Sequence, residues 1–136
     1  MYMIEGTDVR IGNLVWYYDY NMTETVFRVE GILDGYIHNT LLPRNKLPFK
    51  DVHPIKLETD HLLDFNFLQE EGAHHNIYAY KYNRQDSIYV RDDGYSFQPV
   101  AYSAGSGFVA YGRPLAHVHQ LQNLFYDITR EDIFVE

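Results

Sequence analysis

Val118-His119-Gln120-Leu121-Gln122-Asn123-Leu124-Phe125-Tyr126-Asp127-Ile128 is the stretch that decides the fold class. Val118, Leu121, Leu124, Phe125 and Ile128 recur at three- and four-residue spacing, so they form one apolar stripe along a helix of about three turns. Pro114 stands near its start, where a missing backbone N–H is tolerated. Such a stripe must cover an apolar surface, and the remainder of the chain offers one built of strands. The expected class is therefore α+β: an antiparallel sheet or meander, a short middle helix, and a carboxyl-terminal amphipathic helix packed on the sheet.

Upstream, the chain reads as short strands punctuated by turns. Leu14 to Tyr20 is aromatic and β-branched, Asn21 to Glu24 is a turn, and Thr25 to Leu33 is a second run with Phe27 and Val29 on one face. Asp34-Gly35 signals a hairpin leading to a third strand, Tyr36 to Leu42. Three such strands suggest a curled meander, an SH3-like barrel or half-barrel. Pro43, Pro48 and Pro54 then mark an extended connection, and one domain over residues 1–136 is expected because neither half owns a convincing core. Thr59 reads as the cap of a short helix. Asn66 would end that helix in a left-handed conformation, letting Phe67 fold back on Leu62. Strict alternation from Ile77 to Tyr82 places Tyr78, Tyr80 and Tyr82 on one face. Ser87 to Arg91 continues the β pattern after a turn at Asn83 to Asp86. Pro99 interrupts the next strand, Tyr95 to Tyr102, which points to a bulge or a sheet edge. Phe108 to Gly112 is the last strand.

Composition narrows the function classes. Hydrophobic residues make up 46% and aromatic residues 16% of the 136 positions, which supports a packed globule. A formal net charge of −8 opposes loose attachment to nucleic-acid phosphates or anionic membranes, so neither a nucleic-acid polymer nor a membrane is an expected partner. Without cysteine there is no disulfide, thiolate nucleophile or Cys-based zinc site. The first residues lack the basic and apolar regions of a secretory signal, and a cytoplasmic location is expected.

No nucleophilic triad, carboxylate pair or kinase-like motif is recognisable, so no catalytic residue is assigned and a binding role is favoured over an enzymatic one. His117-Val118-His119 has a spacing used by metal ligands on strands. On a helix the two rings would point about 200° apart, so no metal and no cofactor is expected. His119, Gln122 and Tyr126 share one helix face, flanked by Asn123. This row could bind a ligand, lie solvated, or form a buried hydrogen-bond network against the sheet. Tyr78 and Tyr80 could stack a ring, or pack under a helix. His61, His74 and His75 could join such a site in three dimensions, though His74 and His75 lack a legible carboxylate partner, and Gly105-Ser106-Gly107 lacks the third glycine and following helix of a phosphate loop.

His117 to Tyr126, followed by Thr129 and Glu131, resembles the carboxyl end of a group of small proteins encoded by phages and prophages of Bacteroidetes-type bacteria. Asp8 to Val15 and Pro54-Ile55-Lys56-Leu57 are similar to the same group, in the same order. Members carry Gly where this chain has Asn66 and Arg130, and Arg adopts a left-handed cap less readily than Asn. The resemblance implies a phage-type accessory protein in the bacterial cytoplasm and transfers no residue-level role.

Together these expectations describe a non-enzymatic, homo-oligomeric binding protein that sequesters a small nucleotide-type signal or caps a host protein. Its ligand contacts would be His119, Gln122, Asn123, Tyr126, Tyr78 and Tyr80. The alternatives are a protein-interaction or structural module docking through the amino-terminal strands, and a small hydrolase with dispersed His and Asp groups.

Overall fold

The computed structural model describes residues 9–74 and 76–133; His75 and the amino-terminal start lie outside them. The fold is mixed α+β, mostly antiparallel sheet with a carboxyl-terminal helix. Its residues group into two compact units. One holds the described residues up to Lys56 with His117–Leu124; the other holds Leu57–Ala116 and the described residues from Phe125 onward.

In the first unit, β1 (Leu14–Tyr18) lies between β2 (Glu24–Arg28) and β6 (His53–Pro54), while β4 (Tyr36–His38) lies between β3 (Gly31–Leu33) and β5 (Lys46–Pro48). The run expected from Thr25 to Leu33 is therefore two strands. Val29 N–H donates to Asn13 O while Glu30 N–H donates to His38 O, so the chain changes sheets between neighbouring residues. The proline-rich connection also supplies two short strands, because Pro48 and Pro54 stand at strand ends, where a lost donor matters least. These pairings give two three-stranded sheets and do not establish an SH3-like barrel. Asp34 and Gly35, at φ 55° and 78°, form the expected two-residue hairpin between Leu33 and Tyr36. Val15, Tyr17, Phe27, Val29, Ile37 and Val52 make the core, drawing on both sheets.

The second unit begins with α1 (Thr59–Asp64). Its cap is Glu58 rather than Thr59: the Glu58 N–H donates to His61 Nδ1 at 2.9 Å, a reciprocal arrangement that satisfies a backbone donor outside the helical ladder. The helix stops as expected. Asn66 sits at φ 68°, its N–H donates to Leu63 O at 3.0 Å, and Phe67 N–H donates to Leu62 O at 2.9 Å. The sheet then runs in the order β11 (Gly107–Ala110), β10 (Phe97–Ser103), β9 (Ser87–Asp92), β8 (Ile77–Lys81), β7 (Leu68–Gln69). Phe125 of α2 (Val118–Thr129) meets Tyr80 edge-on at 4.9 Å, and Phe67 meets the same ring at 5.5 Å. The helix thus packs on the sheet. Arg130 takes the left-handed position after α2, at φ 61°, with its N–H on Tyr126 O at 2.7 Å.

Pro99 corrects the expectation of an edge, since β10 is paired on both sides; the expected bulge lies in the facing segment, where three residues between Tyr111 and Leu115 oppose Gln98 alone. Opposite residues in an antiparallel ladder alternate between exchanging two hydrogen bonds and exchanging none. Pro99 faces Val90 across β9 and Tyr111 on the other side, where Tyr111 N–H donates to Pro99 O at 3.0 Å. The return bond, from Pro99 to Tyr111 O, is chemically impossible. The buried side chain of Gln98 replaces it, its Nε2 donating to Tyr111 O at 2.9 Å and to Pro99 O at 3.1 Å. Gln98→Leu is expected to cost about 1–2 kcal/mol in urea unfolding, as one half-buried carbonyl loses its donor. The cost should shrink in a Pro99→Val background, which restores the backbone N–H; equal losses in both backgrounds would contradict this substitution of one donor for another.

Candidate ligand-binding surface

The six expected contact residues fall into two sets: His119, Gln122 and Asn123 belong to the first unit, and Tyr78, Tyr80 and Tyr126 to the second. Gln122 is 6% exposed and both ends of its amide are engaged. Its Oε1 accepts the Leu14 N–H at 2.7 Å, and its Nε2 donates to Gly12 O at 3.2 Å. Asn123 Oδ1 accepts from Asn13 Nδ2 at 2.8 Å, and Asn13 is itself buried. These amides hold the residues that lead into β1, where Gly12 N–H donates to Val29 O and Val29 N–H returns to Asn13 O. Of the three roles open to the helix row, the geometry of Gln122 and Asn123 matches the buried network.

His119 is 2% exposed, with its ring stacked on His117 at 5.7 Å and 11°. The near-parallel rings arise because His117 precedes α2, so the helical rotation assumed between them does not apply. His117 N–H donates to Gln120 Oε1 at 3.0 Å, as Glu58 N–H does to His61 Nδ1. Among the described residues, no group of three or more His, Asp or Glu side chains is arranged to hold a metal ion.

In the second unit, Tyr78 is buried opposite Val90, and Tyr80 is half-buried between Phe67 and Phe125. Tyr80 also borders a hollow of about 450 Å³ whose rim carries Glu131 and Asp132. Tyr126 is 39% exposed, with the Arg130 guanidinium 6.0 Å from its ring centre.

A cleft of about 380 Å³ is bordered by Tyr82, Tyr89, Tyr102 and Tyr111, together with Asp86, Val100 and Ile128. Tyr82 follows β8, Tyr89 stands in the middle of β9, Tyr102 near the end of β10, and Tyr111 just after β11. The ladder register divides these side chains: Tyr82 and Tyr111 share the face of Ile88 and Ala101, whereas Tyr89 and Tyr102 share the opposite face with Phe108. The turn at one side is rigidly built. Asn83 Oδ1 accepts the N–H groups of Gln85 and Asp86 at 2.8 and 2.7 Å, and Asn83 Nδ2 holds Asp86 Oδ2 at 3.0 Å. On the other side, Tyr102 contacts Phe108 edge-on at 5.4 Å, and Tyr89 contacts the same ring at 5.1 Å. Burial pushes the Tyr111 phenol above its ordinary value, and the neighbouring Tyr82 adds to the effect. Tyr111 is therefore a neutral hydroxyl at neutral pH, able to donate and accept. Among the described residues, Asp86 is the one charged side chain lining the cleft; Lys81 and Arg84, on the same hairpin, do not line it.

Alternation reached Tyr82, in the row with Tyr78 and Tyr80. Tyr111 follows a different strand, and placing it on the same face as Tyr82 requires the cross-strand register.

Gln122→Leu is expected to lower stability by about 1–3 kcal/mol, because it strips a donor and an acceptor from half-buried backbone partners. Tyr126→Ala should stay within about 0.5 kcal/mol of wild type, as exposed substitutions do. Denaturant unfolding of the two variants checks both, and a neutral Gln122→Leu would remove the clamp from consideration. No protein-family model, no curated protein and no solved structure matches the chain.

Proposed function

We propose that the chain is a non-enzymatic binding protein that holds a small, ring-bearing or compact apolar ligand in the tyrosine cleft of its second unit. One observation carries this reading: Tyr82 and Tyr111, on one face of the sheet, border with Ile128 about 380 Å³ of open space, a volume in the range of small-molecule sites. Rings used only for packing would be covered, whereas Tyr111 is 37% exposed. Exposed aromatic surface of this kind marks interaction sites. The amides first expected to contact the ligand are occupied in holding β1, so binding moves from the helix row to the sheet.

The phage-type resemblance supplies a setting. A small accessory protein with such a cleft acts by removing a host metabolite or signal from circulation. A nucleotide signal is the less favoured occupant, since its base finds rings to stack on but its phosphates face Asp86 and no cation among the described lining residues.

A second reading, docking of a protein partner on the first unit, draws on one further feature. Trp16 stacks on His53 at 4.5 Å and meets Tyr18 edge-on at 4.9 Å, beside Val26, which is 57% exposed.

Calorimetry against a panel of nucleosides, nucleotides, and charged and neutral ring compounds tests the leading reading. Wild-type protein is expected to release heat with members of the panel and to return them chemically intact. Tyr111→Ala should weaken binding about tenfold or more, the loss of one stacking partner. Trp16→Ala should leave it unchanged. Turnover of the ligand would count for the hydrolase instead, and sensitivity to Trp16→Ala rather than Tyr111→Ala would shift the site to the first unit.

A further inference from the structure

β11 is the outer strand of the five-stranded sheet. An open edge invites pairing with another chain, and charged residues or proline normally block it. Among the described edges, β2 carries Glu24 and Arg28, β5 carries Lys46 and Pro48, and β6 carries Pro54. Glu30 and Asp34 border β3, and Glu70 borders β7. β11 has no such guard: from Tyr102 to Gly112 there is neither a charged residue nor a proline. Val109, in its middle stretch, is 48% exposed. We propose that β11 is the dimerisation edge of the protein, pairing antiparallel with β11 of a second copy about a two-fold axis through Val109.

The hydrogen-bond phase of the ladder fixes how two copies meet. Tyr111 N–H donates to Pro99 O at 3.0 Å, so these residues form a pair of the hydrogen-bonded type. Alternation makes Ala101 with Val109 the next such pair and leaves Ala110 and Phe108 in the intervening, non-bonded positions. The backbone N–H and C=O groups of Phe108 and Ala110 therefore point away from β10, into the open edge. One antiparallel register engages both residues at once: Phe108 faces Ala110 of the partner subunit, and Ala110 faces Phe108 of the partner subunit. Val109 then faces Val109 of the partner subunit in the closer type of pair, with about 4.5 Å between Cα atoms. The side chains suit this register. On one face of the sheet each phenylalanine lies over an alanine, and on the other the two valines meet. Tyr111 falls opposite Gly107 of the partner subunit, a position where added side-chain bulk would meet open space. The ring that borders the cleft thus keeps its place, and the pairing is independent of what the cleft binds. Charge selects the same edge. Two chains of formal charge −8 repel each other, and a strip without charges is where their backbones approach with least repulsion. So short a strand makes a small interface, and half-association is expected at about 10–100 μM.

Sedimentation equilibrium of the full chain over a concentration series tests the pairing. Wild type is expected to pass from monomer to dimer as its concentration rises through that range. Val109→Lys sets two ammonium groups against each other at the axis and should leave only monomer, as should Val109→Glu. Mixed in equal amounts, these two variants should regain a dimer, because opposite charges then meet across the pair. Ala110→Pro removes an N–H that the internal ladder does not use, and it should abolish the dimer without changing the circular dichroism spectrum. Val109 and Ala110 are both exposed, so the variants are expected to fold. A wild type that stays monomeric up to about 1 mM overturns the inference. A dimer that survives Val109→Lys or Ala110→Pro overturns it as well, since the contact then lies elsewhere. If the mixed charged variants remain monomeric, the two-fold register through Val109 is wrong.

Discussion

The side-chain amide of Gln98, standing in for the N–H that Pro99 lacks, is the contact on which the proposed site depends. A strand paired on both sides cannot ordinarily contain proline without losing a rung. Here the lost rung is the one facing Tyr111, and the amide next to it in sequence reaches Tyr111 O at 2.9 Å. Because Tyr111 N–H still donates to Pro99 O, the segment after β11 stays against β10 for one residue beyond the regular ladder. That residue carries a ring into the cleft. On the other face of the same ladder step, Pro99 opposes Val90, and the orientation of its missing donor towards Tyr111 spares the β9 pairing.

A parallel logic operates in the first unit, where a side chain again completes backbone hydrogen bonding. Gln122 meets Leu14 N–H and Gly12 O, groups that lie ahead of the first strand's ladder, and Asn123 secures Asn13 beside them. An amide is suited to this work because it offers a donor and an acceptor in one plane without carrying a charge that burial would penalise. The same chemistry explains why a polar row on a helix need not be a binding face. Buried peptide groups require partners as urgently as ligands do.

Much of the fold was legible because it obeys short-range rules. The apolar spacing of Val118, Leu121 and Phe125 marked α2; Asp34-Gly35 marked a hairpin; Asn66 marked the left-handed end of α1. Each depends on residues within a few positions. Readings failed where the deciding partner was distant or where one residue type admits two solutions. The second run splits between Val29 and Glu30 because their N–H groups serve different sheets, and its composition holds no trace of that change. Glu58 displaced Thr59 as the cap because His61 could accept its N–H. Gln122 finds its partners more than a hundred residues upstream, at Gly12 and Leu14, so burial of the helix row could not be distinguished in advance from exposure. The cleft is the extreme case, since Tyr82 and Tyr111 become neighbours only through the pairing of four strands.

The dependence of the cleft on Gln98 is open to direct measurement through the Tyr111 phenol. Its ionisation can be isolated by subtracting the phenolate absorbance titration of Tyr111→Phe from that of the intact chain. Burial holds this group above the ordinary tyrosine value of about 10. In a Gln98→Leu protein that retains its circular dichroism, release of the Tyr111 segment to water should bring the ionisation back towards that value. If Tyr111 ionises like an exposed tyrosine in the wild type, or stays elevated without Gln98, the amide does not hold the cleft together.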